Sequence, residues 1–265
     1  LPLGLDSTND EIKENGVYLM ENVRFHEYET NKDIEKQINI EIDIFCNEAF
    51  SCSHRNHKSI TGIDANIYSY GYCFAKEIEA LNIINNSQGA EIIAIIGGNK
   101  IEDKIPMMRN LSKKISYIYI TGNNSNSIQK YKSFFDEIKK NKAQIIFTED
   151  GFNKKNNEYI YIEDLSKDKI CDIGTKSLNN LFKYIEKSDI VFWNGTLGIT
   201  EDNFFKNGSE HLLNMLNYSQ KKVIIGGGDT AGFVNKYQNK FYHISTGGGA
   251  SIDYLSNGIL PGLKY

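Results

Sequence analysis

Apolar and polar positions fall into alternating blocks along this 265-residue chain. Apolar, strand-length runs recur at Gly16–Leu19, Ile42–Cys46, Glu91–Ile96, Ile115–Ile120, Ala143–Phe147, Asp189–Phe192 and Lys222–Ile225. The stretches between them predict helices over 73–85, 103–112, 128–141, 175–187 and 208–217. Continuous apolar runs suit strands buried on both faces, and their alternation with helices predicts βα units around a parallel sheet. The segment Phe74-Ala-Lys-Glu-Ile-Glu-Ala-Leu81 leads into an Asn/Ser/Gly stretch, which places a domain boundary within 72–88. Asn123–Ser127 and Asn153–Asn157 read as polar surface loops.

One run ends unlike the others. Val223-Ile-Ile-Gly-Gly-Gly-Asp-Thr-Ala231 passes from β-branched residues into three glycines, an acid and a hydroxyl. Such a turn opens backbone N–H groups toward a phosphate, and a helix N-terminus just after it adds partial positive charge. Asp229 is poorly placed to meet a phosphate and well placed to hold Mg²⁺ on one. Ser245-Thr-Gly-Gly-Gly-Ala250 comes after a short strand-like segment, Phe241–Ile244, and is expected to form a second phosphate-sized turn.

A net charge of −4 without a basic stripe argues against a nucleic-acid platform. The longest apolar stretches, such as Ala90–Ile96, are too short to span a membrane, and no signal-peptide pattern is seen. Cys46, Cys52, Cys73 and Cys171 lack CxxC spacing, which predicts reduced cysteines in a cytoplasmic protein, with a plastid-like organelle as the alternative. The first residue is Leu, so a processed product or an excerpt is expected. Arginine occurs only at Arg24, Arg55 and Arg109, which makes each worth placing.

Six motifs then stand in one order. They are Leu19-Met-Glu-Asn-Val-Arg-Phe-His26, Asn47-Glu-Ala-Phe-Ser-Cys-Ser-His-Arg-Asn-His57 and Ile95-Ile-Gly-Gly-Asn-Lys-Ile-Glu-Asp-Lys-Ile105. Asp172-Ile-Gly174, Trp193-Asn-Gly-Thr-Leu-Gly-Ile-Thr-Glu201 and Gly226-Gly-Gly-Asp-Thr-Ala231 complete the set. Together they resemble the phosphoglycerate kinase family across essentially the whole chain. The resemblance implies two doubly wound, parallel-sheet (Rossmann-like) α/β domains joined by a hinge helix, the N-terminal one incomplete. Residues 1–75 would be the remaining acid-substrate part, 76–240 the nucleotide domain, and 241–265 a tail returning to the first domain. The implied activity is Mg²⁺-dependent, reversible phosphoryl transfer between 1,3-bisphosphoglycerate and ADP, giving 3-phosphoglycerate and ATP in glycolysis. A monomer that needs neither nucleic acid nor membrane is expected.

By this resemblance Lys100 faces the transferred phosphoryl group and is catalytic together with Arg24, Gly227 and Gly228. Lys104 faces the nucleotide phosphates, with Gly97, Gly98, Gly226 and Thr230 around them. Asn194 and Glu201 would hold phosphate and ribose hydroxyls, Ile199 would pack on the base beside Gly122 and Ile170, and Asp229 would meet the metal. Lysines at i,i+4 are ordinarily solvated; the Gly97-Gly98 lead-in sets Lys100 and Lys104 apart, and they are expected on one helical face. Glu201 with Asp202 next to it also fits a helix N-terminal acid. Arg24 and Arg55 match the arginines for the acid substrate's phosphate, which a guanidinium fork binds bidentately. Both come after strand-like runs and are expected close together. His54 and His57 form an HxxH pair, yet no further residue completes a metal set. Asp43 and Glu48 are expected to pair with basic neighbours.

The sequence also departs from the family. Roughly its first quarter is absent, including an Asp-x-Asn-x-Pro strand and a His-Leu-Gly-Arg-Pro segment that supply acid-substrate ligands. Thr121-Gly-Asn-Asn-Ser125 stands where a Gly-Gly-Gly-Met-Ala run is usual, Ile170 replaces a glycine, and Thr196 replaces a proline. Side chains in place of the glycines should crowd a flat base, and the change to Thr196 is milder. These residues alone are therefore expected to bind Mg-nucleotide weakly and to show no measurable turnover. An inactive paralogue retaining phosphate binding is the rival reading. A dinucleotide enzyme, suggested by Gly226-x-Gly228-x-x-Ala231, lacks an acidic ribose ligand about 20 residues on.

Overall fold

The computed structural model describes residues 2–3, 16–31, 41–86, 89–98, 100–121, 130–155, 158–163, 170–245 and 247–263. They form two units, Leu1–Ile78 with Ile259–Tyr265, and Glu79–Gly258.

In the first unit β1 (Pro2–Leu3) pairs in parallel with β2 (Leu19–Met20), and β3 (Ile44–Asn47) with β4 (Ile67–Tyr70), the short α1 (Lys58–Thr61) lying between β3 and β4 in the chain. The strand expected from Gly16 starts only at Leu19. Glu48 does not pair with a basic neighbour. Its carboxylate accepts the N–H groups of Cys73 (2.8 Å) and Phe74 (3.0 Å), the first turn of α2 (Tyr72–Asn85), and those bonds hold its pKa below the usual range. Asp43 likewise accepts from Asn66 Nδ2 (3.3 Å) rather than from a cation. The chain's last described segment joins this unit: buried Asn47 donates to Ser53 Oγ and to Gly262 O, both at 3.0 Å.

The second unit is built on β5 (Ile92–Ile96), β6 (Tyr117–Ile120), β7 (Gln144–Phe147), β11 (Ile190–Asn194), β12 (Lys222–Gly226) and β13 (His243–Ile244), all parallel in the order β13-β12-β11-β5-β6-β7. β5 is apolar at every position because both its faces are covered, and all five residues are fully buried. The connecting helices are α3 (Ile105–Leu111), α4 (Lys132–Ile138), α5 (Thr175–Lys187), α6 (Asn207–Tyr218), α7 (Gly228–Val234) and α8 (Gly248–Asn257).

Two expectations fail here. Asn153–Asn157 is not a loop throughout: β8 (Gly151–Lys155) and β9 (Glu158–Ile162) form an antiparallel pair, extended by β10 (Asp172–Ile173). Lys154 and Lys155 are exposed strand residues, while half-buried Asn153 accepts from Cys171 Sγ (3.3 Å). Residues 241–258, expected in the tail, supply β13 and α8 to the second unit, where Leu255 is fully buried, so the chain rejoins the first unit only from Ile259. The division between units falls inside α2. Asn123–Ser127 and Gly122 lie outside the described residues.

Candidate functional site

Three strands stop at one level. Asn194 stands opposite both Ile96 and Gly226, so the turns Gly97-Gly98, Gly195 and Gly227-Gly228 emerge side by side. The chain order reverses between β5 and β11, which is where open parallel sheets leave a crevice at the strand C-termini.

Two of these turns interlock through backbone. Gly97 N–H donates to Asn194 O and Gly98 N–H to Thr196 O, each at 2.9 Å. Gly195 has φ 98°, and a Cβ there would lie 2.2 Å from Gly97 O; a Cβ on Gly97 would lie 2.3 Å from Thr196 O. The Gly195 peptide is held again from outside, because Trp193 Nε1 donates to its oxygen (2.8 Å) and its N–H donates to Thr230 Oγ1 (2.7 Å). Thr230, expected at the phosphates, is thus fully buried behind the turn.

Lys104 lies against the same turns. Its Nζ donates to Gly97 O (2.6 Å) and Asn194 O (3.0 Å). Burial pushes the ammonium pKa down to about 8, against the opposing pull of Asp229 and Asp103. Lysine carries three donors, so one remains for a ligand. Lys100 is exposed and precedes the 3-10 turn Glu102–Lys104; the two lysines do not share a helical face, yet both border one cavity.

That cavity, of about 360 Å³, lies within the second unit. One group of its lining residues surrounds the turns: Gly98, Lys100, Lys104, Asn194, Gly228 and Asp229. The other comprises Ile170, Cys171, Ile199, Thr200 and Glu201, and is tied together by the Ile199 N–H bond to Cys171 O (2.9 Å). Gly227 also lines the cavity, with φ 92°, whereas Gly226 is buried beneath against Phe192 and Asn194. Asn194 Nδ2 has no hydrogen-bond partner although the residue is only 2% exposed. Leaving such a group unpaired costs about 1–3 kcal/mol. Ile170 is 1% exposed, and its Cγ2 occupies space that a side chain at Gly151 would need, at 2.5 Å from the Cβ position.

The second glycine run is not a second cradle. None of its described residues lines the cavity; Gly248 instead backs the Gly227 turn, and Ser245 Oγ bonds Ser251 Oγ (2.8 Å).

A sequence profile described as "Phosphoglycerate kinase" matches residues 5–258. The chain belongs to the phosphoglycerate kinase family. It is 32% identical over 284 residues to the phosphoglycerate kinase of Borrelia garinii subsp. bavariensis, covering 96% of this chain and 72% of that protein. The enzyme of Wolbachia pipientis subsp. Culex pipiens is 34% identical over 285 residues, covering 94% and 71%. Among solved structures, phosphoglycerate kinase from Pyrococcus horikoshii superposes with a TM-score of 0.79 at 26% identity, covering 96% of this chain and 73% of that one. For the Coxiella burnetii protein the values are 0.74 and 25%, with 84% of this chain covered and 64% of that chain, a little under two thirds.

The phosphoglycerate kinase resemblance assigned Arg24 and Arg55 to the acid substrate. Both are exposed, on turns that come after β2 and β3. Arg24 Nη2 reaches Cys52 Sγ (3.7 Å), at the end of the turn that leads to Arg55, while Arg55 Nε donates to His54 Nε2 (3.3 Å). His57 faces Glu29, whose carboxylate also accepts the N–H (2.9 Å) and hydroxyl (2.6 Å) of Ser59. Among the described residues no cluster of three or more His, Cys, Asp or Glu could hold a metal, the four cysteines are free, and no helix is long and apolar enough to cross a membrane. Asp229, exposed on the cavity wall, offers one hard oxygen donor. That fits Mg²⁺, which binds through one or two carboxylates plus substrate phosphates.

Sequence reasoning did not single out Asp103, Cys171, Thr200 or Ile252 as cavity residues. Thr200 stands inside a quoted motif and was within reach; Ile252 looks like any helical core residue.

Proposed function

We propose that this chain binds a magnesium-complexed adenine nucleotide in the cavity of its second unit and serves the phosphoglycerate kinase reaction. In that reaction the phosphoryl group of 1,3-bisphosphoglycerate leaves its acyl oxygen and bonds to a terminal phosphate oxygen of ADP, releasing 3-phosphoglycerate. One observation carries the reading: a buried, unpaired Asn194 amide, Lys104 with a spare donor, and exposed Lys100 and Asp229 converge on a single cavity beside glycine turns. Catalysis of this kind is mostly alignment and charge neutralisation. Bound with the nucleotide, magnesium would supply part of that neutralisation; Asp229 would hold it. Lys100 would track the transferred group, and Glu201 would accept from sugar hydroxyls. Arg24 and Arg55 would bind the acid substrate's phosphate. The proposed setting is glycolysis in the cytoplasm.

The rival is a nucleotide-binding paralogue without turnover. The chain spans 64–73% of the relatives named above, and Ile170 stands at the cavity. Calorimetry with Mg-ADP and a coupled assay with ATP and 3-phosphoglycerate separate the two. Binding with turnover supports the enzyme, binding alone supports the paralogue, and absence of binding defeats both.

A further inference from the structure

We infer that Tyr159, on β9, is a positioning residue for the cavity wall of Ile199, Thr200 and Glu201, and so for the part of a nucleotide beyond its phosphates. This rests on the nucleotide reading above.

The segment from Ile199 to Lys206 carries that wall and contains neither strand nor helix. A turn closes over Thr200 and Glu201, with Asp202 N–H donating to Ile199 O (3.2 Å). Asp202 Oδ1 then accepts the N–H groups of Phe204 (2.8 Å) and Phe205 (3.4 Å), and these bonds hold its pKa below the usual carboxylate range. Local bonds of this sort shape the loop, and Ile199 N–H, donating to Cys171 O, ties its start to the opposite wall. Tyr159 adds a hold on its later residues from the hairpin side. Its ring stacks on Phe204, with centroids 3.9 Å apart and planes 16° from parallel, and meets Phe205 edge-on at 5.3 Å. Its hydroxyl donates to Asp202 Oδ1 at 3.4 Å. Lys154 Nζ covers the ring at 5.1 Å, while Phe152 meets Phe204 from the side at 5.5 Å.

Tyr159 is itself 44% exposed. Core burial does not account for it, because three of its contacts go to the one segment that carries Ile199, Thr200 and Glu201. An aromatic pair of this geometry stabilises beyond its area burial, enough to bias where a loop rests. The turns around Lys104 and Asn194 are braced by other bonds and do not depend on it.

The test compares two probes on the full chain. Mg-ADP fills the whole cavity, whereas Mg-pyrophosphate engages only the turns. Tyr159→Ala should weaken ADP about five- to tenfold, the scale of a lost aromatic pair, and leave pyrophosphate within about twofold. Tyr159→Phe keeps the stack, loses only the long hydroxyl contact, and should stay within about twofold for both probes. Should Tyr159→Ala fold poorly, Phe204→Leu removes the other half of the stack and should give the same split. Unchanged ADP affinity in the alanine variant, or equal weakening of both probes, would overturn the inference and leave the nucleotide reading standing. A wild-type chain that binds neither probe would overturn both.

Discussion

The two ends of the cavity are made from different material. Around the turns the structure is backbone: carbonyls of Gly97 and Asn194 hold Lys104, and Gly97 and Gly195 press main chain against main chain. At the other end it is side chains: Ile170 and Cys171, just ahead of β10, and Ile199 and Glu201 on an irregular segment. Backbone contacts admit no substitute for glycine, whereas side-chain walls can be rebuilt one residue at a time. The departures that the resemblance implies at Ile170 and Thr196 stand beside the interlocked turns of Gly97 and Gly195.

The sharpest way to break this contrast is Gly195→Ala. Positive φ and a Cβ 2.2 Å from a carbonyl oxygen should cost more than about 3 kcal/mol in denaturant unfolding. Gly228→Ala, whose Cβ would meet nothing within 4 Å, should stay within about 0.5 kcal/mol. Similar losses in both would mean that the interlock does not matter. Next comes Lys100→Ala. The residue is exposed and should leave stability alone, yet any turnover in the coupled assay should fall about a hundredfold while ADP affinity barely moves. Parallel losses in affinity and rate would reassign it to simple binding.

Ile170→Ala probes the side-chain end. Removing a buried isoleucine should cost about 2 kcal/mol of stability, leave pyrophosphate binding intact and tighten ADP, because less side chain faces the base. Weaker ADP binding would show that Ile170 supports the base instead of crowding it.

The smallest effect is pH-dependent. Asp172 is buried against Gly198 and Gly208, accepting from Gly208 (2.8 Å) and Ile173 (2.9 Å), and burial raises its pKa to about 7. The folded state therefore holds this proton more tightly than the unfolded chain, whose carboxyl titrates near 3.9. The stabilisation is complete below about pH 4 and is lost as pH rises through about 7. Wild type should exceed Asp172→Asn by about 1 kcal/mol more at pH 6 than at pH 8 in urea titrations. A margin independent of pH would rule this out.

Much of this arrangement was legible in the sequence, for definite reasons. β5, β11 and β12 are buried on both faces, so their apolar runs announced them, and the glycines after them marked where backbone must approach something closely. The partner of each close approach was not legible. A glycine codon states that space is needed and not that Gly97 and Gly195 need it for each other. Lys104 and Thr230 were both expected at the phosphates; the carbonyls that hold the one and the amide that engages the other carry no sequence signal. The hairpin escaped notice because Asn153, Lys154 and Lys155 look like loop, and its packing face shows only in the pairing of Phe152 with Tyr161.

The bond from Asn47 to Gly262 has a bearing on synthesis. Polypeptides leave the ribosome N-terminus first, and domains ordinarily fold in that order. Here the first unit cannot make this buried contact until residues 79–258 have been translated, a wait on the order of 10–40 s at typical elongation rates. The second unit, contiguous in the chain, is complete before the first. During that interval Asn47 and Ser53 are without their last partner, and the nascent first unit is the part of this protein that a chaperone or protease would meet unfinished.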